Sequence, residues 1–463
     1  MRLLRTNKIR KQMKSKMFLF SLCIAAISTH AFAANEAEKT SKSSEEAVTE
    51  MKAQKRSILK TEENGKGLTI GGYGEAVYSH NFYSDKYIRY TAKDPSVYKG
   101  QSHGRFDLPH VVLFLNYNFG HGWSMGSEIE FEHGGTESAI EIEEEEAGEY
   151  ESEIERGGEV ALEQFWIQKS ICPEFNIKLG HIIVPVGGTN QNHLPTEFFG
   201  VYRPEGENTI LPCTWHETGI SLWGRAGDWR YEVLLVPGLD SDRFNRLNWI
   251  QGGAGSPYEF KIGNSVAGAF RIDNYSIKGL RLSLSGYAGN SFNNSLNDYK
   301  DSDKYKDVKG TVMIGAFDFN YNDHNWIVRG NFDYGHLSDA DKITEVNKKM
   351  SNNSPSPQQN VAEAAIATGI EAGYNVFSQI NKLNDKGQKL YVFGRYDYYD
   401  SMHKTSTPIY KFCGRNRIAA GVNYYPIHDI VVKGEYSIGL MRTPYNNEPA
   451  ISIGVAYAGF FTK

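Results

Sequence analysis

Positions 120 to 133 read GHGWSMGSEIEFEH, with Ser124, Gly126, Glu128, Glu130 and Glu132 at every second place and Trp123, Met125, Ile129 and Phe131 between them. A period of two predicts an extended strand with one face in water and the other against something apolar. The same alternation begins near Gly67 and recurs to the end of the chain. Val111, Leu113, Leu115, Tyr117 and Phe119 alternate with His110, Asn116 and Asn118. Met313, Gly315, Phe317, Phe319 and Tyr321 alternate with Asp318 and Asn320, and Ile451, Ile453, Val455 and Tyr457 alternate with Ser452, Gly454 and Ala456.

About sixteen such segments are predicted, near 67–79, 105–119, 123–133, 159–169, 175–184, 216–224, 229–237, 263–272, 279–290, 308–321, 325–335, 362–377, 388–400, 413–425, 428–440 and 448–461. The fourth, ALEQFWIQK, lacks a clean alternation. Connections of a few residues, at 120–122, 170–174, 225–228, 273–278, 322–324 and 426–427, with a medium one at 378–387, take turns with long ones. The long ones lie near 80–104, 134–158, 185–215, 238–262, 291–307, 336–361 and 401–412. Short turns on one end and long loops on the other are the pattern of a transmembrane antiparallel β-barrel, with periplasmic turns and external loops. Tyr117, Phe119, Trp123, Tyr321, Trp326, Tyr374, Tyr424 and Phe461 fall near the short-turn end, where an interfacial girdle belongs.

The barrel also accounts for the alternating glutamates. Inside a membrane every backbone polar group must pair internally, so only helices and closed barrels span it. A barrel of about sixteen strands encloses water, so every second residue is expected to be polar and inward. A solvent-exposed soluble sheet, as in a secreted β-rich binding protein, also tolerates such carboxylates, but gives no reason for alternate loops to be long.

Composition supports many short strands: Gly 46, Tyr 28 and Phe 24 in 463 residues, with aromatics at 13%. The net charge of −5 gives no sign of a nucleic-acid partner. A basic start, an apolar core at 17–27 and Ala31-Phe32-Ala33 read as a signal peptide over 1–33, cleaved before Ala34. Residues 34–66 are charged and free of aromatics, the composition of a periplasmic linker or short helix. The barrel domain is then 67–463. Of Cys23, Cys172, Cys213 and Cys413, the first leaves with the signal, and three remaining cysteines imply no disulfide framework.

No catalytic motif is complete. Gly122-Trp123-Ser124-Met125-Gly126 matches G-x-S-x-G, but that motif requires a strand-to-helix turn, and here a strand follows. His216-Glu217 starts like H-E-x-x-H, but position 220 is Ile. Asp301 and Asp303 lack the Gly and closing Glu of a calcium loop. The chain is therefore expected not to be an enzyme and to hold no cofactor and no metal in its channel. A barrel hydrolase using Ser124 is the alternative from another class.

The inward positions carry acids Glu75, Glu128, Glu130, Glu132, Glu232, Asp318, Asp333, Glu371, Asp397 and Glu435. Against them stand Lys178, Arg230, Arg271, Arg281, Arg329, Arg395, Arg417 and Lys433. The acidic trio comes early and most arginines late, which predicts a field across the lumen; pairing across strands is the plainer reading. Loop 185–215, with four prolines and several aromatics, is expected to fold into the lumen as a constriction carrying His193, Glu197, Phe198, Phe199 and Arg203, or else to form an ordered external cap. The acidic run at 139–155 reads as a solvated surface, or as a site for divalent cations or lipopolysaccharide.

LTIGGYGEAVYSH, the 106–123 segment leading into EIEFEHGG, and the block EQFWIQKS…FNIKLGHIIVPVGG…HETGISLWG…WRYEVLLVPG resemble the phosphate-selective porin O/P group of outer-membrane channels. The resemblance implies a homotrimeric sixteen-stranded channel with phosphate selectivity from lumenal arginines and lysines. Here arginines interleave with carboxylates and no lysine ladder is present, so the fold and channel role carry over and the phosphate site does not. The expected protein is an outer-membrane porin of a Gram-negative bacterium, embedded in lipid and lipopolysaccharide and passing small hydrophilic solutes or ions. An anion- or phosphate-selective channel is the alternative.

Overall fold

Alternating sequences become paired strands. The computed structural model describes residues 66–86, 88–133, 141–142, 152–153, 160–255, 261–295, 297–349 and 360–462. The signal peptide, nearly all of the 34–66 linker and most of the acidic run at 139–155 lie outside the described residues. The chain divides into units Met1–Ser57 and Ile58–Lys463, and all described residues belong to the second.

Seventeen strands form one sheet: β1 Gly67–Asn81, β2 His103–Asp107, β3 His110–Gly120, β4 Trp123–Glu132, β5 Val160–Cys172, β6 Phe175–Ile183, β7 His216–Ala226, β8 Trp229–Pro237 and β9 Val266–Asn274. It continues through β10 Leu280–Asn290, β11 Thr311–Asp323, β12 Trp326–Leu337, β13 Ala364–Asn375, β14 Lys389–Lys404, β15 Gly414–Ile427, β16 Ile430–Gly439 and β17 Ala450–Phe460. Each pairs antiparallel with its sequence neighbour, and β1 pairs with β17 from Gly71↔Phe460 to Asn81↔Ala450, which closes the sheet. Both β2 and β3 pair with β1, so they are one stave interrupted. The expected single strand at 105–119 is broken at Leu108-Pro109, because proline has no N–H to give the ladder. The result is a closed barrel of sixteen staves.

Two other expectations need adjustment. The fourth segment runs as β5 with a register shift: Glu128 faces Gln164 while Ile129 faces Leu162, leaving Glu163 as an extra residue. This β-bulge turns Glu163 and Gln164 both inward, and that is why ALEQFWIQK showed no clean alternation. The medium connection after β13 carries two single-turn helical segments, Val376–Gln379 and Asn381–Asn384. A further loop at 440–449 joins β16 to β17.

The outer face is apolar. In β11, Met313 is 54% exposed while the adjacent Val312 is fully buried, and Phe317 is 42% exposed beside buried Asp318. Val233, Leu235, Val432, Ile453 and Val455 are likewise exposed on other strands. Such a surface far exceeds the few hundred Å² of apolar patch that soluble monomers present, and hydrocarbon is its natural surrounding. Among the described residues no helix is long and apolar enough to cross a membrane; the strands are the crossing elements. At the short-turn end Trp123, Phe119, Trp326 and Phe461 are exposed, with Trp326 against Tyr374 and Tyr117 against Phe119, a girdle of aromatics. Gly120, His121 and Gly122 all have positive φ, which lets the β3–β4 turn close so tightly.

The inner face is not polar along its whole length. Toward the long loops, inward Leu234 and Val236 join Val184, Trp215, Phe244 and Trp249 in one buried apolar cluster. The long loops fold in and exclude water there, so strand ends beneath them carry apolar side chains on both faces. Trp249 donates its indole N–H to the Ala362 carbonyl at 3.0 Å, tying two of these loops together.

Candidate functional site

The connection between β6 and β7 lies inside the barrel, gripped by inward side chains from strands far apart in sequence. Near its start, Gly187 N–H donates to Ser285 Oγ at 3.1 Å and its carbonyl accepts from Arg271 at 2.9 Å. Further along, Phe199 N–H donates to Glu371 at 3.2 Å and Val201 N–H to Glu435 at 3.1 Å. Lys433 donates to the carbonyls of Phe198 and Gly200 at 3.1 and 2.8 Å. Phe199 stacks on Phe393 with centroids 5.2 Å apart, and the Arg329 guanidinium lies 5.2 Å over its ring. A Cβ at Gly373 would sit 2.3 Å from that ring, so the glycine makes the seat for Phe199.

Glu207, on the short helix Glu205–Ile210, was not anticipated from sequence. Its carboxylate accepts from the N–H groups of Gly188, Thr189 and Asn190 at 2.8, 2.9 and 3.3 Å, joining the two limbs of the loop. Burial pushes its pKa up to about 7 despite those donors. No local pattern marks it; the bond exists only once the loop has doubled back.

The arginines of the later strands are all engaged by carboxylates. Arg271 meets Asp273 at 2.8 Å and Asp318 at 2.9 Å, and Arg281 meets Asp318 at 2.7 Å. Arg230 bridges Glu232 and Asp273, Arg329 meets Glu371 at 2.6 Å, Arg395 meets Asp397 at 2.9 Å and Glu435 at 3.7 Å, and Arg417 reaches Glu205 at 3.2 Å. Asp333 is fully buried and takes a hydrogen bond from Asn331. The expected opposition of an acidic and a basic wall is therefore one-sided, because the basic wall is neutralised where it stands.

The early wall differs. Glu75 holds His110 at 2.8 Å. Glu132 stands beside His110 and Glu130. Glu130 and Glu163 are 3% and 2% exposed, and an oxygen of each, together with Oε2 of Glu128, has no hydrogen-bond partner. Arg203 is the guanidinium close by; it donates to the Tyr73 hydroxyl at 3.4 Å and lies 3.6 Å from Cys213 Sγ. His193 comes down to this wall from the loop, its ring set edge-on to Tyr73. Cys172, Cys213 and Cys413 are all free thiols.

Between the loop and β10–β14 is a cavity of about 70 Å³, lined in part by Asn192, Glu197, Phe198, Arg281, Arg329, Glu371 and Arg395. Ser124, by contrast, is the second residue of β4, opposite Asn118 and Gln168, and is not at a strand-to-helix turn.

No family model matches this chain. An uncharacterized protein of Aquifex aeolicus (strain VF5) is 26% identical over 385 residues, covering 80% of this chain and 75% of that one. Among solved structures, an anion-selective porin from Comamonas acidovorans is similar with TM-score 0.47 and 11% identity, over 85% of this chain and 100% of that one. A loop L8 deletion mutant of OmpT, an outer membrane protein of Vibrio cholerae, has TM-score 0.45 and 12% identity, over 86% and 100%. The assignment to membrane-type closed antiparallel barrels rests on this chain's own strand pairing and apolar exterior.

Proposed function

We propose that this protein is a porin, a passive channel for small hydrophilic solutes or ions across the outer membrane of a Gram-negative bacterium. One observation carries the reading: a closed, lipid-faced barrel holds a folded loop inside itself by hydrogen bonds to inward charged side chains. A loop so held narrows the lumen and leaves a cavity beside it. Paired arginines offer little net attraction to anions, so the channel is weakly selective. No step of chemistry and no cofactor is part of this reading.

Anion or phosphate selectivity is the second reading, favoured by Arg281, Arg329 and Arg395 around one cavity. Planar-bilayer conductance in a salt gradient separates the two. An ohmic current with a small reversal potential supports the porin as proposed. A strongly anion-directed potential, or current blocked by phosphate, supports the second. Purified protein that gives no conductance at all rejects both. The homotrimer implied by the family likeness is checked on the same material by chemical crosslinking.

A further inference from the structure

We infer that Glu128, Glu163 and His193 form a binding site for one divalent transition-metal ion of the Zn²⁺ class, placed where the lumenal loop meets the barrel wall. One ligand atom from each lies within 4.8 Å of those of the other two. Bonds of about 2.0–2.2 Å from Zn²⁺ to carboxylate oxygen and imidazole nitrogen need these atoms drawn somewhat closer.

Three features set this trio apart from an ordinary acidic surface. First, Glu128 Oε2 and Glu163 Oε2 are both shut off from solvent and neither has a hydrogen-bond partner. The residue Glu163 is 2% exposed, and buried anions of this kind cost several kcal/mol each, as an order of magnitude, unless a cation meets them. Second, the orientation of His193 is already set. Its Nδ1 lies 3.0 Å from the Asn190 carbonyl, so Nδ1 carries the proton and Nε2 is left with its lone pair. A backbone carbonyl holding the far nitrogen is the usual support for a metal-binding histidine. Third, Glu163 faces inward only because of the bulge in β5, and its other oxygen is held by the Thr214 hydroxyl.

The chemistry of the donors selects the ion. Two carboxylates balance a divalent charge, and an imidazole nitrogen favours zinc, nickel or cobalt over calcium and magnesium, which prefer oxygen alone. Lys178, whose ammonium lies 4.9 Å over the Trp166 ring, and Arg203 are the nearby cations opposing the ion. Glu130 packs beside Glu163 on the other side. A bound ion would tie the loop to β4 and β5, four to five staves around the wall from the Lys433 clamp on β16. This inference does not depend on the channel reading.

The test uses full-length protein in detergent, stripped with a chelator and titrated with Zn²⁺ by calorimetry. Cobalt is used in parallel, since its visible spectrum reports the nitrogen and oxygen donors. One ion per chain is expected. His193→Ala and Glu163→Gln should each weaken binding by at least about tenfold, and Glu128→Gln should act in the same direction. His110→Ala, at the neighbouring Glu130–Glu132 group, should leave binding in place. Heat-dependent migration on gels confirms that each variant is folded; if His193→Ala does not fold, Glu163→Gln decides. The inference is overturned if the wild-type chain binds no stoichiometric ion. It is equally overturned if His193→Ala and Glu163→Gln bind as tightly as wild type, or if only His110→Ala abolishes binding.

Discussion

Arg271 donates from a single nitrogen to both carboxylate oxygens of Asp318, at 3.0 and 2.9 Å, with both side chains at most 2% exposed. The two residues sit on β9 and β11, so the contact crosses β10, and Arg281 of that middle strand reaches the same carboxylate. Removing one partner strands the others without compensation. Asp318→Asn or Arg271→Met should therefore destabilise the folded barrel by about 3–5 kcal/mol. The double replacement Arg271→Met, Asp318→Leu should recover much of the loss. Urea unfolding in detergent, followed by tryptophan fluorescence, measures both.

Lys433 clamps the lumenal loop through the carbonyls of Phe198 and Gly200. Hydrogen bonds from a charged donor contribute about 1.5–3 kcal/mol, so Lys433→Met should loosen this segment without unfolding the barrel. Single-channel recordings should show larger conductance and more frequent current fluctuations than wild type. Unchanged traces would mean that the loop is held in place without this clamp.

Outside the membrane, Asp240 accepts the Asp242 N–H at 2.9 Å in a buried turn. Burial, reinforced by the neighbouring Asp242, pushes its pKa from 3.8 up to about 7. Between those values the folded chain keeps a proton that the unfolded chain releases. Stability should accordingly fall as pH rises through that window and level off above it. Asp240→Asn keeps the acceptor oxygen and removes the titration. Its denaturation midpoint should vary less between about pH 4 and pH 7 than that of wild type.

Phe317 lies at the middle of β11 with its ring outward. In lipid, Phe317→Arg places a charge near the bilayer midplane and should cost about 2–4 kcal/mol of folding stability. A soluble protein would tolerate or even welcome this change. Refolding into phospholipid vesicles across a urea series distinguishes the two outcomes.

The alternation of residues 311–321 and its counterparts, together with connections that are short and long by turns, determines that this is a many-stranded barrel with an apolar exterior. The period of two is a local property of the extended backbone, and burial from lipid acts on each strand separately. The long loop with its prolines and paired phenylalanines was legible as a folded insert for the same reason, since those residues constrain the chain locally. Its path was not. Which carboxylate meets which arginine, the seat that Gly373 leaves for Phe199, and the bond from Glu207 back to Gly188 all join positions far apart in the chain. The inward turn of Glu163 shows the boundary most clearly. Its sequence signal was only a failure of alternation, because a bulge is set by register against the neighbouring strand. Closure of the sheet decides such contacts, because partners distant in sequence are chosen by geometry that no short stretch encodes.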